Sequence, residues 1–466
     1  MNSEPGTRIE TDSLGDVRVP ADALYGAQTQ RAVDNFPISG IRFPRRFIQA
    51  VGTVKAAAAR ANVSLDLMDG ARGQAIADAA EKVRSGELDA QFPLDIFQTG
   101  SGTSTNMNAN EVIARVAQEA SGESVHPNDD VNMGQSSNDV IPTAMHVAAR
   151  VAMHEELLPA LEKLATSLEA KADEFDDVVK SGRTHLMDAT PVRLGQEFGG
   201  YAAQVRKGIA RVEAASEELA ELALGGTATG TGINRPLAFP EAAIKEISAM
   251  TGIAFREAEN HFEAQAAKDG YVAAAGALNT LAVSLMKIAN DIRHLSSGPT
   301  SGLSEIQLPA IQPGSSIMPG KVNPVMSEAM MMVCARVMGN ATTITVGGQH
   351  GNFELNVMMP VMAHAMLESI GSLAGACDAF RTRCLDGITA DRDRARDLLL
   401  KNPSIATALN DEIGYDKASK VAKKAAAEKR SVRDVVLEMG LIPEDRIDEI
   451  LDVRGMTEPG IPGRDA

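Results

Sequence analysis

Residues 314–324 read Gly-Ser-Ser-Ile-Met-Pro-Gly-Lys-Val-Asn-Pro. This segment restricts the possible folds and functions of the chain more than any other part. Pro319 has a fixed φ and no N–H, and Gly320 tolerates a positive φ, so we expect a loop. Within it, the hydroxyls of Ser315 and Ser316 would lie near an ammonium and an amide. Such a loop can hold a carboxylate and handle a proton beside it. A polar surface loop without a site is the alternative, because this composition is common in loops.

The same segment does not form a nucleotide-binding P-loop. Five residues separate Gly314 from Gly320, which is one more than the P-loop pattern allows. Val322 follows Lys321 at the position where a Ser or Thr would bind magnesium. The ammonium of Lys321 and the amide of Asn323 are therefore candidates for binding a small anion.

The composition favours closely packed helices. Of the 466 residues, 44% are hydrophobic but only 3% are aromatic, and Trp is absent. The core must therefore be built from Ala, Leu, Val, Ile and Met. The formal net charge of −17 argues against general binding to nucleic acid or to an anionic membrane surface. An anionic substrate would have to meet locally placed positive groups.

Cysteine usage and the N-terminus predict a cytoplasmic protein. The three cysteines, Cys334, Cys377 and Cys384, lie in apolar helical contexts without paired spacing, which is typical of buried, reduced thiols. Residues 1–7 lack the basic and apolar regions of a signal peptide. The most apolar stretch, at 271–286, is too short and too polar for a membrane span.

Helical periodicity dominates the chain after a small hairpin expected near 12–19. Five long helical segments are predicted around 157–168, at 191–224, at 264–295, after Pro324 and at 357–384. Rods of this length usually bury a second face against other subunits, so we expect an oligomer. Shorter helices are predicted at 415–427, 432–439 and 444–451, before a loose tail at 457–466.

These patterns predict a mostly helical chain, and its length suits about three domains. The N-terminal domain, residues 1–137, would be mostly helical and carry the small hairpin. The central domain, residues 138–391, would contain the long helices. The C-terminal domain, residues 392–466, would be a small helical unit.

Two clusters of small polar residues precede helices. Residues 99–106 read Thr-Gly-Ser-Gly-Thr-Ser-Thr-Asn, before a helix expected at Asn110, and residues 134–139 read Gly-Gln-Ser-Ser-Asn-Asp. Hydroxyls and free amides at a helix N-terminus can bind an anion. Ordinary N-capping explains each cluster equally well when it is considered alone.

A third cluster contains a histidine. Residues 182–191 read Gly-Arg-Thr-His-Leu-Met-Asp-Ala-Thr-Pro, and we expect His185 to lie between two helices, the second beginning at Pro191. A histidine there can act as an acid or base, although a structural histidine is the alternative. Glu328, expected one turn into the helix that follows residue 323, could pair with a histidine and raise its basicity.

Two further segments do not fit the sites that their composition suggests. His126 and the acidic residues at 129–130 supply too few dispersed ligands for a metal. The glycines at 225–232 follow a helix and are not part of a βαβ unit, so they do not predict a dinucleotide site.

Taken together, in this order and at these separations, the motifs resemble the fumarase/aspartase superfamily. The resemblance covers nearly the whole chain, from Asp-Ser-Leu-Gly at 12–15 and Gly-Ala-Gln-Thr-Gln at 26–30 to Gly-Tyr-Asp-Lys at 414–417. It implies an all-helical, three-domain fumarase/aspartase-like fold with a central bundle of five long helices. It also implies a homotetramer with a 20-helix core, in which each active site takes residues from three subunits.

Within the superfamily, the segment 182–191 is similar to class II fumarases. Aspartases usually have Gln where His185 stands, and adenylosuccinate and argininosuccinate lyases differ around their histidine and in the 314–324 loop. Met187, the pair 104–105 and the residues 325–327 depart from the common pattern, and none is assigned to chemistry. Aspartate ammonia-lyase activity and a non-catalytic structural helical bundle remain the alternatives.

The class II resemblance implies reversible, stereospecific hydration of fumarate to L-malate, a step of the tricarboxylic acid cycle, with no metal and no cofactor. It implies Ser315 as the base and His185, oriented by Glu328 of another subunit, as the acid. The implied substrate-binding residues are Ser101, Gly102, Thr103, Ser136, Ser137, Asn138, Thr184, Ser316, Lys321, Val322 and Asn323. The implied second anion site comprises His126, Pro127, Asn128 and Asp129.

Overall fold

The computed structural model describes residues 6–460 and is built mostly from helices, which confirms the all-α prediction. The strands in this part of the chain are short and pair two by two. Residues 1–5, part of the segment that lacks signal-peptide features, and residues 461–466 of the expected tail lie outside the described residues.

The chain divides into two compact units, each of which is described by itself. The first unit comprises Met1–Pro159, Gly208–Val283 and Val333–Ala374. The second unit comprises Ala160–Lys207, Ser284–Met332 and Gly375–Ala466. The division into domains 1–137, 138–391 and 392–466 stays a prediction.

The first unit begins with the expected hairpin. Strand β1 (Thr7–Asp12) pairs antiparallel with β2 (Gly15–Pro20), with Asp12 opposite Gly15. Arg31, on helix α1 (Ala27–Asn35), donates to both carboxylate oxygens of Asp12 at 2.8 and 3.0 Å. This ion pair fixes the hairpin to the first helix.

The next helices of the first unit are α2 (Arg45–Ser64), α3 (Gly70–Ser85) and α4 (Thr103–Ser121). Helices α2 and α3 cross closely because Gly52 has no side chain; a Cβ there would lie 2.7 Å from the backbone N of Arg84. On α4, the carboxylate of Glu111 accepts the backbone N–H groups of Gly26, Gln28 and Thr29. The motif at 26–30 therefore owes its conformation to a capped helix N-terminus.

The long helices are present. They are α5 (Ser137–Ala152) continuing through a π-helical turn (Met153–Leu157) into α6 (Leu158–Glu174), α7 (Leu194–Glu218), α10 (Asp269–Leu295), α11 (Val325–Gly348) and α12 (Met359–Arg383). Two predicted starts were wrong. Pro191 lies in a strand rather than at a helix start, and the segment at 264–295 is interrupted after residue 266, so that α10 begins at Asp269.

Two of these helices, α10 and α11, are long and apolar enough to span a membrane by length and composition alone, with mean hydropathies of 1.5 and 1.2. The apolar stretch at 271–286, which we expected to be too short for a span, lies within a helix that continues to Leu295. Core helices of soluble proteins pass the same test, and 44% of the apolar window in α10 is buried. This property is therefore weak evidence for a membrane span.

Short elements connect the long helices. In the first unit they are α8 (Phe239–Thr251), α9 (His261–Ala266), the parallel pair β5 (Glu221–Leu222) and β6 (Arg256–Glu257), and the antiparallel pair β8 (Gly351–Asn352) and β9 (Leu355–Asn356). In the second unit they are the antiparallel pairs β3 (Val179–Thr184) with β4 (Met187–Arg193) and β7 (Ile306–Gln307) with β10 (Thr389–Ala390).

The three helices predicted near the C-terminus are confirmed as α15 (Tyr415–Glu428), α16 (Val432–Glu438) and α17 (Glu444–Ile450). Two further helices, α13 (Arg392–Leu400) and α14 (Asn410–Ile413), precede them. Val421, Val435 and Ile447 belong to one buried cluster that joins α15, α16 and α17. The three cysteines are buried and none of them is in a disulfide bond, as predicted.

Candidate active site

In the first unit, three hydroxyls form a chain between the N-termini of α4 and α5. Ser101 Oγ lies 2.7 Å from Thr103 Oγ1, which donates to Ser137 Oγ at 2.8 Å. Because the Thr103 proton is used on Ser137, Ser101 donates to Thr103, and Ser137 keeps its own proton for another acceptor. Three predicted substrate-binding residues are thus brought together.

Gly102 is required by the backbone at this point. It is the N-cap of α4 with φ 72°, and a Cβ there would lie 2.8 Å from a methyl carbon of Ile141. The helix starts at Thr103 rather than at Asn110, so the sequence prediction placed the start too late. The hydroxyl of Thr103 therefore lies in the first turn, beside backbone N–H groups that have no acceptor within the helix.

The N-terminus of α5 is capped by its own side chains. Ser136 and Asp139 form a capping box, in which Ser136 Oγ accepts from the N–H of Asn138 and Asp139 accepts the N–H of Ser136. The Asn138 amide donates to the carbonyl of Ala228 at 2.8 Å. Ser136 is therefore an ordinary N-cap of α5, and its hydroxyl oxygen serves as an acceptor at the helix end.

A buried ammonium lies behind this helix end. Lys55 Nζ donates to Asn132 Oδ1 and Gln135 Oε1 at 2.8 and 2.9 Å. Burial lowers the pKa of Lys55 to about 7, against the opposing effect of the nearby Asp139 carboxylate. Two helix N-termini, a hydroxyl chain and a local cation make this region suited to a carboxylate.

The segment at 126–131 uses its histidine as a helix cap. His126 Nδ1 accepts from the N–H groups of Asn128 and Asp129, so a neutral ring carries its proton on Nε2. The segment Pro127–Val131 forms a single π-helical turn. Asp130 accepts the N–H of His126 at 2.7 Å. Among residues 6–460, no three His, Cys, Asp or Glu side chains are grouped as metal ligands.

In the second unit, His185 lies at the tip of a hairpin and not between two helices. Thr184 pairs with Met187 across the β3–β4 ladder, which leaves His185 and Leu186 as the two turn residues. Both have positive φ, 56° and 60°, as a type I′ turn requires. The turn holds the imidazole of His185 and the hydroxyl of Thr184 in solvent-exposed positions.

The base of this hairpin is fixed from two directions. Arg183 donates twice to Glu305, and Glu305 is fully buried. Asn402 donates to Ser181 Oγ and to the carbonyl of Ala189, and so bridges both strands. The orientation of the turn is therefore determined by contacts below it.

The loop at 314–324 is closed at its base. The Gly314 N–H donates to the carbonyl of Lys321 at 2.8 Å, and the Asn323 amide donates to the carbonyl of Gly314 at 2.7 Å. A Cβ on Gly314 would lie 2.4 Å from the Lys321 oxygen. The loop prediction is confirmed, and one N–H of Asn323 is used to close the loop.

The Ser315 hydroxyl oxygen accepts two backbone amides. The N–H groups of Ile317 and Met318 donate to Ser315 Oγ at 3.2 and 3.1 Å. Donors aimed at this oxygen favour its anionic form over its protonated form. Ser316, Lys321 and Val322 are exposed on the same loop.

Glu328 is exposed in the first turn of α11, as predicted. Within residues 6–460 of this chain, neither its carboxylate nor the His185 ring has a hydrogen-bond or ion-pair partner. The structure of one chain therefore does not bring this predicted acid–base pair into contact.

Two buried carboxylates, Asp139 in the first unit and Glu305 in the second, hold parts of the candidate site in place and were not identified from the sequence. Asp139 lies in a Ser-x-x-Asp pattern, which is a recognisable capping-box signal, and it could have been identified. Glu305 carries no local signal, because its partner Arg183 is far away in sequence.

Comparison with known proteins agrees with these features. The family model described as Lyase matches residues 15–339, and the model described as Fumarase C C-terminus matches residues 405–458. These matches and the helical fold define an enzyme of the lyase class.

The relatives narrow the class further. The chain is 57% identical over 459 residues to fumarate hydratase class II of Halobacterium salinarum, covering 97% of this chain and 98% of that protein. It is 54% identical over 460 residues to the protein of the same name from Corynebacterium efficiens, covering 97% of each. The crystal structure of class II fumarase from Schistosoma mansoni superposes with a TM-score of 0.94 at 37% identity, covering 97% of this chain and 99% of that chain. The chain belongs to the class II fumarate hydratase family.

Proposed function

We propose that this enzyme catalyses the reversible, stereospecific hydration of fumarate to L-malate, as the names of its relatives indicate. The observation that carries the mechanism is the pair of backbone N–H groups that donate to Ser315 Oγ. They stabilise an alkoxide at this position, which a serine must form to act as a strong base.

The proton is removed from the carbon beside one carboxylate of malate. That proton passes to the Ser315 alkoxide, and the electron pair is delocalised into the adjacent carboxylate as a dianion. The Lys321 ammonium and the Asn323 amide would stabilise this charge where it develops. Ser316 and Val322 would contact the same end of the substrate.

The hydroxyl group leaves from the neighbouring carbon. His185 protonates it, so that water departs and the double bond of fumarate forms; in the reverse direction His185 accepts a proton from the attacking water. Glu328 of another subunit would orient the imidazole. The exposed turn at 184–187 leaves the ring accessible to such a partner.

The first unit would bind the substrate carboxylates. Ser137 retains a free hydroxyl proton, and Thr103, Ser101 and the free amides after Gly102 belong to the same region. Asn138 would supply a further hydrogen bond, and the Ser136 hydroxyl, whose oxygen accepts the Asn138 N–H, keeps its proton to donate to the substrate. Thr184, on the hairpin of the second unit, would supply another hydrogen bond. The segment from His126 to Asp129 is proposed as a second anion site.

The assembly is proposed to be a cytoplasmic homotetramer. Pooling the long helices of four copies would give a 20-helix core, and each active site would combine groups from three subunits. The proposed reaction uses only side chains of the protein and water, and the partners are small dicarboxylates rather than nucleic acid or membrane.

The decisive experiment is an assay of the purified enzyme with fumarate or L-malate, followed by the absorbance of fumarate. Aspartate is tested in parallel under the same conditions. Interconversion of fumarate and malate supports the proposal. Ammonia release from aspartate without hydration would instead indicate aspartate ammonia-lyase, and inactivity with all three compounds would indicate a structural bundle.

A further inference from the structure

The carboxylate of Asp139 joins the N-terminus of α5 to the glycine-rich loop at 225–232. One oxygen accepts the N–H of Ser136 at 2.9 Å. The other accepts the N–H groups of Gly225 and Thr227 at 3.0 and 2.9 Å. Asp139 is fully buried, so these three bonds are made away from solvent.

The loop has little freedom on its other side. Gly225 has φ 103°, and a Cβ there would lie 2.3 Å from Pro240 Cγ. A Cβ on Gly226 would lie 2.2 Å from Gln265 Oε1. The Gln265 amide also donates to the carbonyl of Thr227 at 2.8 Å. The loop is therefore held between Asp139 and Gln265.

This loop in turn orients a predicted substrate-binding side chain. The carbonyl of Ala228, the residue after Thr227, accepts the Asn138 amide at 2.8 Å. Asp139 thus acts on Asn138 through two routes. It holds the backbone of the helix start directly, and it holds the carbonyl to which the side chain of Asn138 donates.

We propose that Asp139 is a positioning residue that locks the helix start at 136–138 to the loop at 225–228, so that Ser137 and Asn138 are presented together to a substrate carboxylate. This inference rests on the proposed function. A carboxylate is needed because three N–H donors converge on it, and an amide would turn its own N–H groups toward some of these donors. Lys55, bonded to Asn132 and Gln135, lies nearby and adds a positive charge when it is protonated.

The test compares Asp139→Asn with Glu111→Gln in the full-length enzyme. Glu111 is a matched control because it also accepts three backbone N–H groups at a helix N-terminus of the same unit, and α1 carries no residue assigned to the site. Loss of charge-assisted hydrogen bonds that orient binding groups should raise the KM for L-malate by about tenfold or more in Asp139→Asn. In Glu111→Gln we expect the wild-type KM, although the melting temperature should fall by about as much as in Asp139→Asn.

Hydrogen exchange locates the change independently of turnover. In Asp139→Asn, the amides of Gly225 and Thr227 should exchange faster, and thermal-shift titration with L-malate should need about tenfold more ligand. A wild-type KM and a wild-type titration midpoint in a folded Asp139→Asn enzyme would overturn the inference. Failure of the wild-type enzyme to hydrate fumarate would instead contradict the proposed function.

A second variant keeps the inference testable if Asp139→Asn does not fold. Gln265→Met removes the other anchor of the loop, the bond to the Thr227 carbonyl, and leaves Asp139 in place. The same direction of change in KM is expected, with a smaller size. An unchanged KM, together with faster exchange at Thr227, would show that the loop does not position the binding groups.

Discussion

The guanidinium of Arg183 and the carboxylate of Glu305 form a bidentate ion pair, with both N–O distances at 2.8 Å. Glu305 is fully buried, and Lys180 Nζ lies 3.3 Å from the same carboxylate. Arg183 stands two residues before His185, and Glu305 stands nine residues before Gly314. A single buried pair therefore connects the hairpin that carries the proposed acid to the segment that leads into the loop of the proposed base.

Breaking this pair should destabilise the enzyme strongly. In Glu305→Gln the charges of Arg183 and Lys180 lose a buried partner, and we expect a loss of about 3 to 5 kcal/mol in the free energy of unfolding. Urea unfolding followed by circular dichroism measures it. The activity should fall more than the folded fraction, because the turn with His185 loses its support.

An exposed ion pair provides the control. Arg206 contacts Glu162 and Glu169 on the helix surface of the same unit, and Arg206→Gln should cost less than about 1 kcal/mol. Equal losses in Glu305→Gln and Arg206→Gln would contradict the role assigned to the buried pair.

Ser315→Ala should lower kcat by a factor on the order of a thousand or more, because the base is removed while the loop remains closed by Gly314 and Asn323. His185→Asn should impair the same reaction through loss of the acid. Stopped assays with L-malate, with circular dichroism as the folding control, measure both. Near-wild-type turnover in either variant would remove that residue from the mechanism.

Much of the fold could be predicted because the periodicity of long helices is a strong local signal. The helix ends were harder to predict. Pro191 is as suitable for a strand as for a first helical turn, and only pairing with residues 179–184 decides between them. The start of α4 was placed late because Thr103 and its neighbours have low helix propensity, whereas in the structure the helix begins directly after the N-cap Gly102.

The site was predictable where a motif is local, as in the loop closed by Gly314 and Asn323. Contacts between distant segments were not predictable. The bond from Asn138 to Ala228 and the pair of Arg183 with Glu305 join residues that lie many positions apart. Sequence alone predicts neither residue pair, because each of these side chains could equally well cap a nearby helix or carry a charge at the surface.

The proposed homotetramer predicts a particle of about four times the 49.1 kDa chain mass. Apolar side chains on the long helices remain exposed in the single chain, among them Val283 on α10 and Met332 on α11. Burial of such surfaces would stabilise an assembly. Light scattering at micromolar concentration tests this, and a stable monomer with full activity would contradict the shared active site.

The turn at His185 and Leu186 predicts a stabilising substitution. Leu186 has φ 60° and is 73% exposed, and a left-handed conformation of a residue with a side chain costs about 1 kcal/mol. Leu186→Gly should therefore raise the free energy of unfolding by up to about that amount. Met187→Gly, one residue later in β4, should lower it. Loss of stability in both variants would mean that the positive φ is not strained.

His146 predicts a pH dependence of stability between about pH 4 and 6.5. Its Nδ1–H donates to the Glu221 carbonyl at 2.7 Å, and its ring stacks 6.0 Å from that of Tyr271. Burial, with a smaller effect of the Lys268 charge, lowers the pKa of His146 to about 4, against 6.5 in the unfolded chain. The unfolded state therefore binds the proton first as the pH falls, and the folded state loses stability from pH 6.5 down to about 4.

The wild-type enzyme should lose on the order of 2 to 3 kcal/mol through this group, measured by urea unfolding at pH 7.5 and 4.5. His146→Gln should lack this component, whereas His294→Gln, at an exposed site on α10, should keep it, and equal pH dependence in all three proteins would rule His146 out as its source.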